Sequence, residues 1–269
     1  MTRLDTYLRE SGLAKSRSRA AAMIAEGCVA VNGKAETSAS YTVKDGDSVE
    51  LIKPDSLIYV GRGGLKLEAA LEAFGVQPGG LVCADIGAST GGFTDCLLRR
   101  GAAKVYAVDS GHGQLDEKLL RDGRVVNLEG VNAKLPLSGV IPEKCGLCVC
   151  DVSFISQTYI LGNASEILED GGCYIGLIKP QFECGREALG KGGIVRSPAA
   201  KKEAVRKVLE CAAGCGLVPS GLIQSPVTGG DGNEEFLFSA EKHSAGITGE
   251  GYHFDEKTIA EAVDGKKDN

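Results

Sequence analysis

From residue 63 onward the chain alternates helix-length amphipathic stretches with short apolar runs. GLKLEAALEAF has helical spacing and precedes the strand-like LVCADIG, and GFTDCLLRR precedes KVYAVDS in the same way. VVNLE, LCVCDV and CYIGLIK read as further strands, with a helix expected over SQTYILGNASEILED before the last of them. A long helical segment, AAKKEAVRKVLECAAGCG, leads into the strands GLIQSPV and EEFLFSA. Several of these strands are continuous apolar runs rather than alternating ones. That is the pattern of a parallel sheet covered by helices on both faces. The expected fold class is therefore α/β.

Residues 1–53 follow a different pattern, that of a compact α+β unit. Leu4, Leu8 and Leu13 sit near helical spacing, and the helix Asp5–Glu10 is broken by Ser11-Gly12. A second helix is expected over Arg17–Glu26, ending at Gly27. The strand CVAVNG, with Asn32-Gly33 as a turn, and the strand DSVELI follow. Pro54 lacks an amide for a strand ladder and closes the unit, and PDSLIYVGR connects it to the larger part. The expected division is 1–60, 61–245 and a polar tail, 246–269, that is either helical or loose.

A length of 269 residues suffices for one large and one small domain. Hydrophobic residues at 43% and charged residues at 25% match an ordinary globular protein. The net charge of −6 argues weakly against a nucleic-acid partner. Phosphate contacts are local, however, and Lys15, Arg17 and Arg19 crowd the start of the second helix, with Lys34 in the following turn. The N-terminal residues hold no apolar core of signal-peptide length, and no apolar run approaches the ~20 residues of a spanning helix. A cytoplasmic protein without a membrane partner is expected. Of the ten cysteines, Cys145 and Cys148 form the single CxxC, inside an apolar stretch. Cys148 and Cys150 share a strand face, and Cys145 is expected to precede the strand. Buried thiols, and no metal site, are the expectation.

In an open α/β sheet, ligands bind beyond the carboxyl ends of the strands. After the first strand of the larger part comes Asp85-Ile86-Gly87-Ala88-Ser89-Thr90-Gly91-Gly92, whose small residues let a ligand approach the backbone. Asp109 ends the next strand, 22 residues after Gly87, where a carboxylate can accept both hydroxyls of a ribose. Together they point to an adenosine cofactor without separating NAD from S-adenosylmethionine.

The wording of the chain goes further. RLDTYLRESGLAKSRSRAAAMIAEGCVAVNGK resembles the S4 RNA-binding domain, and DIGASTGGFTDCLLRRGAAKVYAVDSG resembles motif I of FtsJ-like ribose methyltransferases. With YVGRGGLKLEAAL, DVSFIS, LIKPQFECGRE, GKGGIVRSP and GNEEFL, nearly the whole chain resembles the TlyA family, an S4 domain followed by an FtsJ-like methyltransferase. The resemblance implies a class I, Rossmann-like methyltransferase sheet, mostly parallel with an antiparallel last strand. It implies S-adenosylmethionine as cofactor and methyl transfer to cytidine 2′-hydroxyls of ribosomal RNA, free or in ribosomal subunits. Asp85 and Gly87, Ala88, Ser89, Thr90, Gly91 and Gly92 would line the methionine part of the cofactor, Asp109 its ribose, and Glu129 and Asn132 its adenine. Arg3, Lys15, Arg17, Arg19, Asn32 and Lys34 match the RNA-facing surface of the S4 family. Arg62 and the loop cations Arg186, Lys191 and Arg196 are further RNA candidates.

The FtsJ-like catalytic pattern Lys-Asp-Lys-Glu falls on Lys66, Asp151, Lys179 and Glu235. Fold geometry groups them as well. Asp151 and Lys179 end two strands, Lys66 opens the helix that runs into the first strand, and Glu235 begins the last strand, which the resemblance implies is antiparallel, so all four reach one sheet edge. A ribose hydroxyl is a poor nucleophile, and a lysine serves as base only when burial or another cation lowers its pKa. Lys179 is expected to meet the hydroxyl proton, Asp151 to position Lys179, Lys66 to hold the substrate and Glu235 to anchor a lysine. Two alternatives stand beside this: a pore-forming haemolysin, a name attached to the family, and an RNA-binding assembly factor without methyl transfer.

Overall fold

A computed structural model describes residues 2–14, 16–25, 27–52, 58–229, 232–243 and 254–265. The N-terminal part packs two helices against short strands. β1 (Thr2–Arg3) pairs antiparallel with β4 (Thr42–Val43), while β2 (Val29–Val31) lies between β3 (Lys34–Ala35) and β5 (Val49–Leu51). Helices α1 (Leu4–Glu10) and α2 (Arg17–Ala25) bury Leu4, Leu8, Ala20 and Ile24 with Val29, Val31 and Val43 in a small core of their own. The expected helices and two strands are present. The two-residue strands β1, β3 and β4 are additions that the pattern did not predict. Pro54, expected to close this unit, lies outside the described residues, as does Lys15.

The larger part runs α3 (Gly63–Phe74), β6 (Val82–Ile86), α4 (Gly92–Arg99), β7 (Lys104–Asp109), α5 (Glu117–Leu120), β8 (Val125–Glu129), β9 (Cys145–Cys150), α6 (Leu161–Ile167), β10 (Leu168–Ile178), α7 (Pro180–Glu183), α8 (Pro198–Gly214), β11 (Leu217–Gln224), β12 (Phe236–Lys242) and α9 (Glu256–Asp264). Its seven strands form one sheet in the order β11-β12-β10-β9-β6-β7-β8. Pairing is parallel from β10 through β8, and β12 runs antiparallel to both its neighbours.

Strand alternation sorts the core onto the two faces of the sheet. Leu147, Val149, Ile175 and Leu177 pack with Leu67 and Leu71 of α3 and with Cys96 and Leu97 of α4. Cys148, Cys150, Tyr174 and Ile178 pack on the other side with residues of α6, α8 and α9. Cys148 and Cys150 thus share a face as expected, and all ten cysteines are free thiols. Helix α3 stops where Gly75 adopts a left-handed φ of 68°, which turns the chain toward β6. Among the described residues no helix is long and apolar enough to cross a membrane, and no three His, Cys, Asp or Glu side chains gather in a metal-holding group.

Three expectations change. Cys145 is the first residue of β9 rather than a residue before it. The helix expected over residues 156–170 is confined to α6, because Leu168 already pairs with Cys145 and begins β10. Strand β11 begins at Leu217 rather than Gly221. In the tail, Glu256–Asp264 is helical and buries Ile259 and Val263 in the core over α8 and β11. The central consequence is one of position: β6, β7, β9 and β10 all end on the sheet edge where β12 begins.

Candidate active site

At that edge lies a cavity of about 890 Å³. Its walls come from the loops after β6, β7, β9 and β10, from the start of α3 and from α2 and residues 37–40 of the N-terminal part. Lys66, Asp151, Lys179 and Glu235 all line it. Lys66 sits on the first turn of α3, and its Nζ donates to Glu235 Oε2 at 2.6 Å. Glu235 directly precedes β12, whose Phe236 pairs with Ile178, so Glu235 is brought beside Lys179 across the ladder. Lys179 Nζ lies 2.6 Å from Asp151 Oδ1 and donates to Ser153 Oγ at 2.9 Å. Asp151 is fixed through its own amide, which donates to Ile86 O. The two lysines are each 8% exposed and Glu235 3%. Such burial of two ion pairs in one cleft is costly and leaves charge poised where a substrate enters. Burial alone would raise the Asp151 carboxyl, but the Lys179 and Lys66 ammonium groups overcome it and hold Asp151 below the ordinary carboxylate range.

The glycine turn after β6 forms a cradle. A Cβ on Gly87, where φ is +86°, would lie 2.2 Å from Asp151 O, and one on Gly92 would lie 2.9 Å from Gly64 N. Gly87, Ala88, Ser89 and Gly92 face the cavity, and Gly91 caps α4 with a left-handed φ of 98°. Asp85 is fully buried behind the turn and accepts from Thr94 Oγ1 at 2.6 Å. Burial, added to by Asp151 and Asp109 and opposed by Thr94, pushes its carboxyl up to about 7. Asp85 Oδ1, Thr90 Oγ1 and Asp151 Oδ1 are buried without a hydrogen-bond partner among the described residues. Asp109 ends β7 in the cavity, oriented by the amides of Ser89 (2.8 Å) and Gly111 (2.7 Å). Asn132 lines the cavity too. Glu129 lies outside the lining, and its carboxylate accepts from the amides of Gly113 and Gln114 and so shapes the loop after β7. The cradle and an oriented strand-end acid beside apolar Ile86, Val108 and Val131 fit an adenosyl group with an amino-acid tail.

The RNA candidates are spread more widely. Arg3 and Arg17 both hold the buried Asp5, at 3.1 and 2.9 Å, and keep one exposed side each. Arg19 reaches Gln114 O and lies 3.9 Å from Asp116, while Arg62 donates to Ala25 O. Asn32 (φ 52°) makes the expected turn and donates to Asp47 Oδ1, with Lys34 exposed beside it. Arg186, Lys191 and Arg196 are exposed on the loop between α7 and α8. Three cavity residues escaped the sequence reading: Ser153, Gln114 and Phe154. Gln114 bridges Asp109 and Ser89, each at 3.4 Å. Phe154 is 91% exposed at φ 64°, its ring 5.2 Å from that of Phe182. Ser153 and Phe154 lie within DVSFIS, in which the aspartate alone carries a chemical signal in the sequence.

The reversed strand, the glycine cradle after β6 and the acid ending β7 define the fold of a class I methyltransferase. The family model of FtsJ-like methyltransferases matches residues 59–242, and that of the S4 domain matches residues 2–49. The chain is 42% identical over 236 residues to Hemolysin A of Brachyspira hyodysenteriae, covering 87% of this chain and 98% of that one. It is 40% identical over 239 residues to the 16S/23S rRNA (cytidine-2′-O)-methyltransferase TlyA of Mycobacterium tuberculosis, covering 87% and 88%. A solved structure of a hemolysin-named protein from Streptococcus thermophilus superposes with a TM-score of 0.71 at 37% identity, over 98% of this chain and 96% of that one. The chain belongs to the FtsJ-like methyltransferase family, in the TlyA form that carries an S4 domain ahead of the large sheet.

Proposed function

We propose that this chain is an S-adenosylmethionine-dependent methyltransferase acting on the 2′-hydroxyl of cytidine in ribosomal RNA. The observation that carries the reading is the meeting of two buried lysine–carboxylate pairs, each closed at 2.6 Å, in the cavity that also holds the glycine cradle and Asp109. S-adenosylmethionine, when bound, supplies a methyl group on a positively charged sulfur. Gly87, Ala88, Ser89 and Gly92 would hold its amino-acid part, with Asp85, Thr90 and Gly91 supporting the turn from behind, Asp109 its ribose hydroxyls and Asn132 its adenine side, with Glu129 acting through the loop it folds. Lys179 takes the proton of the ribose hydroxyl as the oxygen attacks. Asp151 orients Lys179 and balances the charge formed there. Lys66, anchored by Glu235, holds the ribose or its phosphate. Alignment of the reacting atoms supplies much of the rate.

Residues 1–60 act as the RNA-binding unit, 61–245 as the methyltransferase and 246–269 as a tail whose helix braces α8. Arg3, Lys15, Arg17, Arg19, Asn32 and Lys34 face folded RNA, which is recognised through shape and backbone. Arg62 at the cleft and Arg186, Lys191 and Arg196 beyond it extend that surface. Ribosomal RNA, in ribosomal subunits, is the proposed partner, and the cytoplasm the place of action. The test is transfer of labelled methyl groups to purified subunits. Wild-type protein labels RNA, Lys179→Ala binds the subunits without labelling them, and equal labelling by both overturns the mechanism. The haemolysin name of relatives suggests liposome leakage as a second assay, in which the pure protein is expected to release no dye.

A further inference from the structure

Lys179 Nζ makes two contacts with the loop that leaves β9: an ion pair with Asp151 Oδ1 at 2.6 Å and, two residues on, a hydrogen bond donated to Ser153 Oγ at 2.9 Å. Among the described residues Asp151 Oδ1 has no hydrogen-bond partner, so the ion pair holds the amine without directing its N–H bonds. Lys179 is buried, whereas Ser153 is exposed and lines the cavity. A neutral primary amine has two N–H bonds and one lone pair around its nitrogen. Rotation about Cε–Nζ offers the lone pair three staggered positions, and the ion pair alone does not choose among them. The hydrogen bond to Ser153 Oγ fixes that rotation, giving one position to an N–H and confining the lone pair to the other two.

We propose that Ser153 is a positioning residue for methyl transfer, accepting an N–H of Lys179 and so holding the amine rotation that lets its lone pair face the substrate hydroxyl. This rests on the reading of Lys179 as the base. In the step, the ribose O–H bond breaks as the oxygen–carbon bond forms, and the electron pair of the broken carbon–sulfur bond stays on sulfur. The proton goes to the Lys179 lone pair. The resulting ammonium keeps its ion pair with Asp151 and its hydrogen bond to Ser153, turns another N–H to the methylated oxygen, and returns the proton to solvent before the next turnover. Without Ser153 the buried pair with Asp151 survives, so binding is intact and only the aim of the base is lost.

The experiment compares Ser153→Ala and Ser153→Thr in the full-length protein. Loss of one charge-assisted hydrogen bond in the transition state lowers kcat by roughly ten- to a hundredfold. KM for RNA and cofactor affinity stay at wild-type values, and Ser153→Thr, which restores an acceptor, recovers most of the rate. A second readout needs no substrate: the 15Nζ resonance of Lys179 moves in Ser153→Ala and stays near its wild-type position in Ser153→Thr. Wild-type kcat together with an unmoved Lys179 resonance in Ser153→Ala overturns the proposal, as does Ser153→Thr being as slow as Ser153→Ala. If the wild-type protein methylates no ribose, the functional reading fails. The resonance then still decides whether Ser153 holds the lysine.

Discussion

Replacing Glu235 by leucine removes half of an ion pair whose side chains are only 10% and 3% exposed. Lys66 then loses the carboxylate that closes on it at 2.6 Å, with Asp151 the acid whose charge still acts on it. Breaking one side of such a pair costs about 3–5 kcal/mol, whereas replacing both sides by apolar residues of similar volume is often neutral or stabilising. For a chain of 269 residues, each kcal/mol moves Tm by roughly 2–4 °C. Glu235→Leu is thus expected to lower Tm by roughly 6–20 °C, and the double variant Lys66→Met/Glu235→Leu to recover most of that loss. Both are expected to lose methyl transfer. Denaturant and thermal unfolding of the wild type, both single variants and the double variant give the coupling energy directly. A double variant no more stable than Glu235→Leu, or a single variant within about 1 kcal/mol of wild type, would refute the claim that this pair is kept for chemistry at the expense of stability.

The Asp85 carboxyl is raised from 3.8 to about 7 by burial. Between those values the folded chain holds a proton that the unfolded chain has released, so this group's contribution favours folding at low pH and is lost as pH rises through the window. Asp85→Asn is expected to flatten that decline in a pH series of unfolding curves, and an unchanged slope would remove Asp85 as its source. Gly87→Ala places a Cβ 2.2 Å from Asp151 O at a φ of +86°, and is expected to weaken cofactor binding, read by calorimetric titration, by at least tenfold, the equivalent of about 1.4 kcal/mol. Truncation after residue 243 removes α9 with its buried Ile259 and Val263, at about 1.5–3 kcal/mol per fully buried side chain, and should appear as a lowered Tm with normal RNA affinity. Arg17→Ala should reduce the salt dependence of RNA binding, and an unchanged slope would take Arg17 out of the interface.

Much of the large sheet could be read from the chain because its strands are apolar on both faces and its helices carry one clear stripe. Strand ends and helix starts alone put Lys66, Asp151 and Lys179 on one edge, and Glu235 joins them through the antiparallel last strand that the resemblance implies. The resemblance chose them among other charged residues. What escaped were features set by partners far away in sequence. Residues 168–170 continue a helical pattern, yet Leu168 is drawn into pairing with Cys145. Strands β1, β3 and β4 are two residues long and exist only through their ladders. Gln114 and Ser153 look like ordinary polar loop residues until the fold sets them against Asp109 and Lys179. Glu129 stands at the end of β8 like an adenine ligand, but its carboxylate is taken by two loop amides.

The chemistry proposed for the two lysine–carboxylate pairs stands or falls on where the methyl group lands. Ribosomal subunits treated with this protein and S-adenosylmethionine can be digested to nucleosides and weighed by mass spectrometry. The expected product is cytidine carrying its added methyl on the ribose 2′-oxygen, absent when Lys179→Ala replaces the wild type. A methyl group on a base, or the same ribose product from Lys179→Ala, would contradict it.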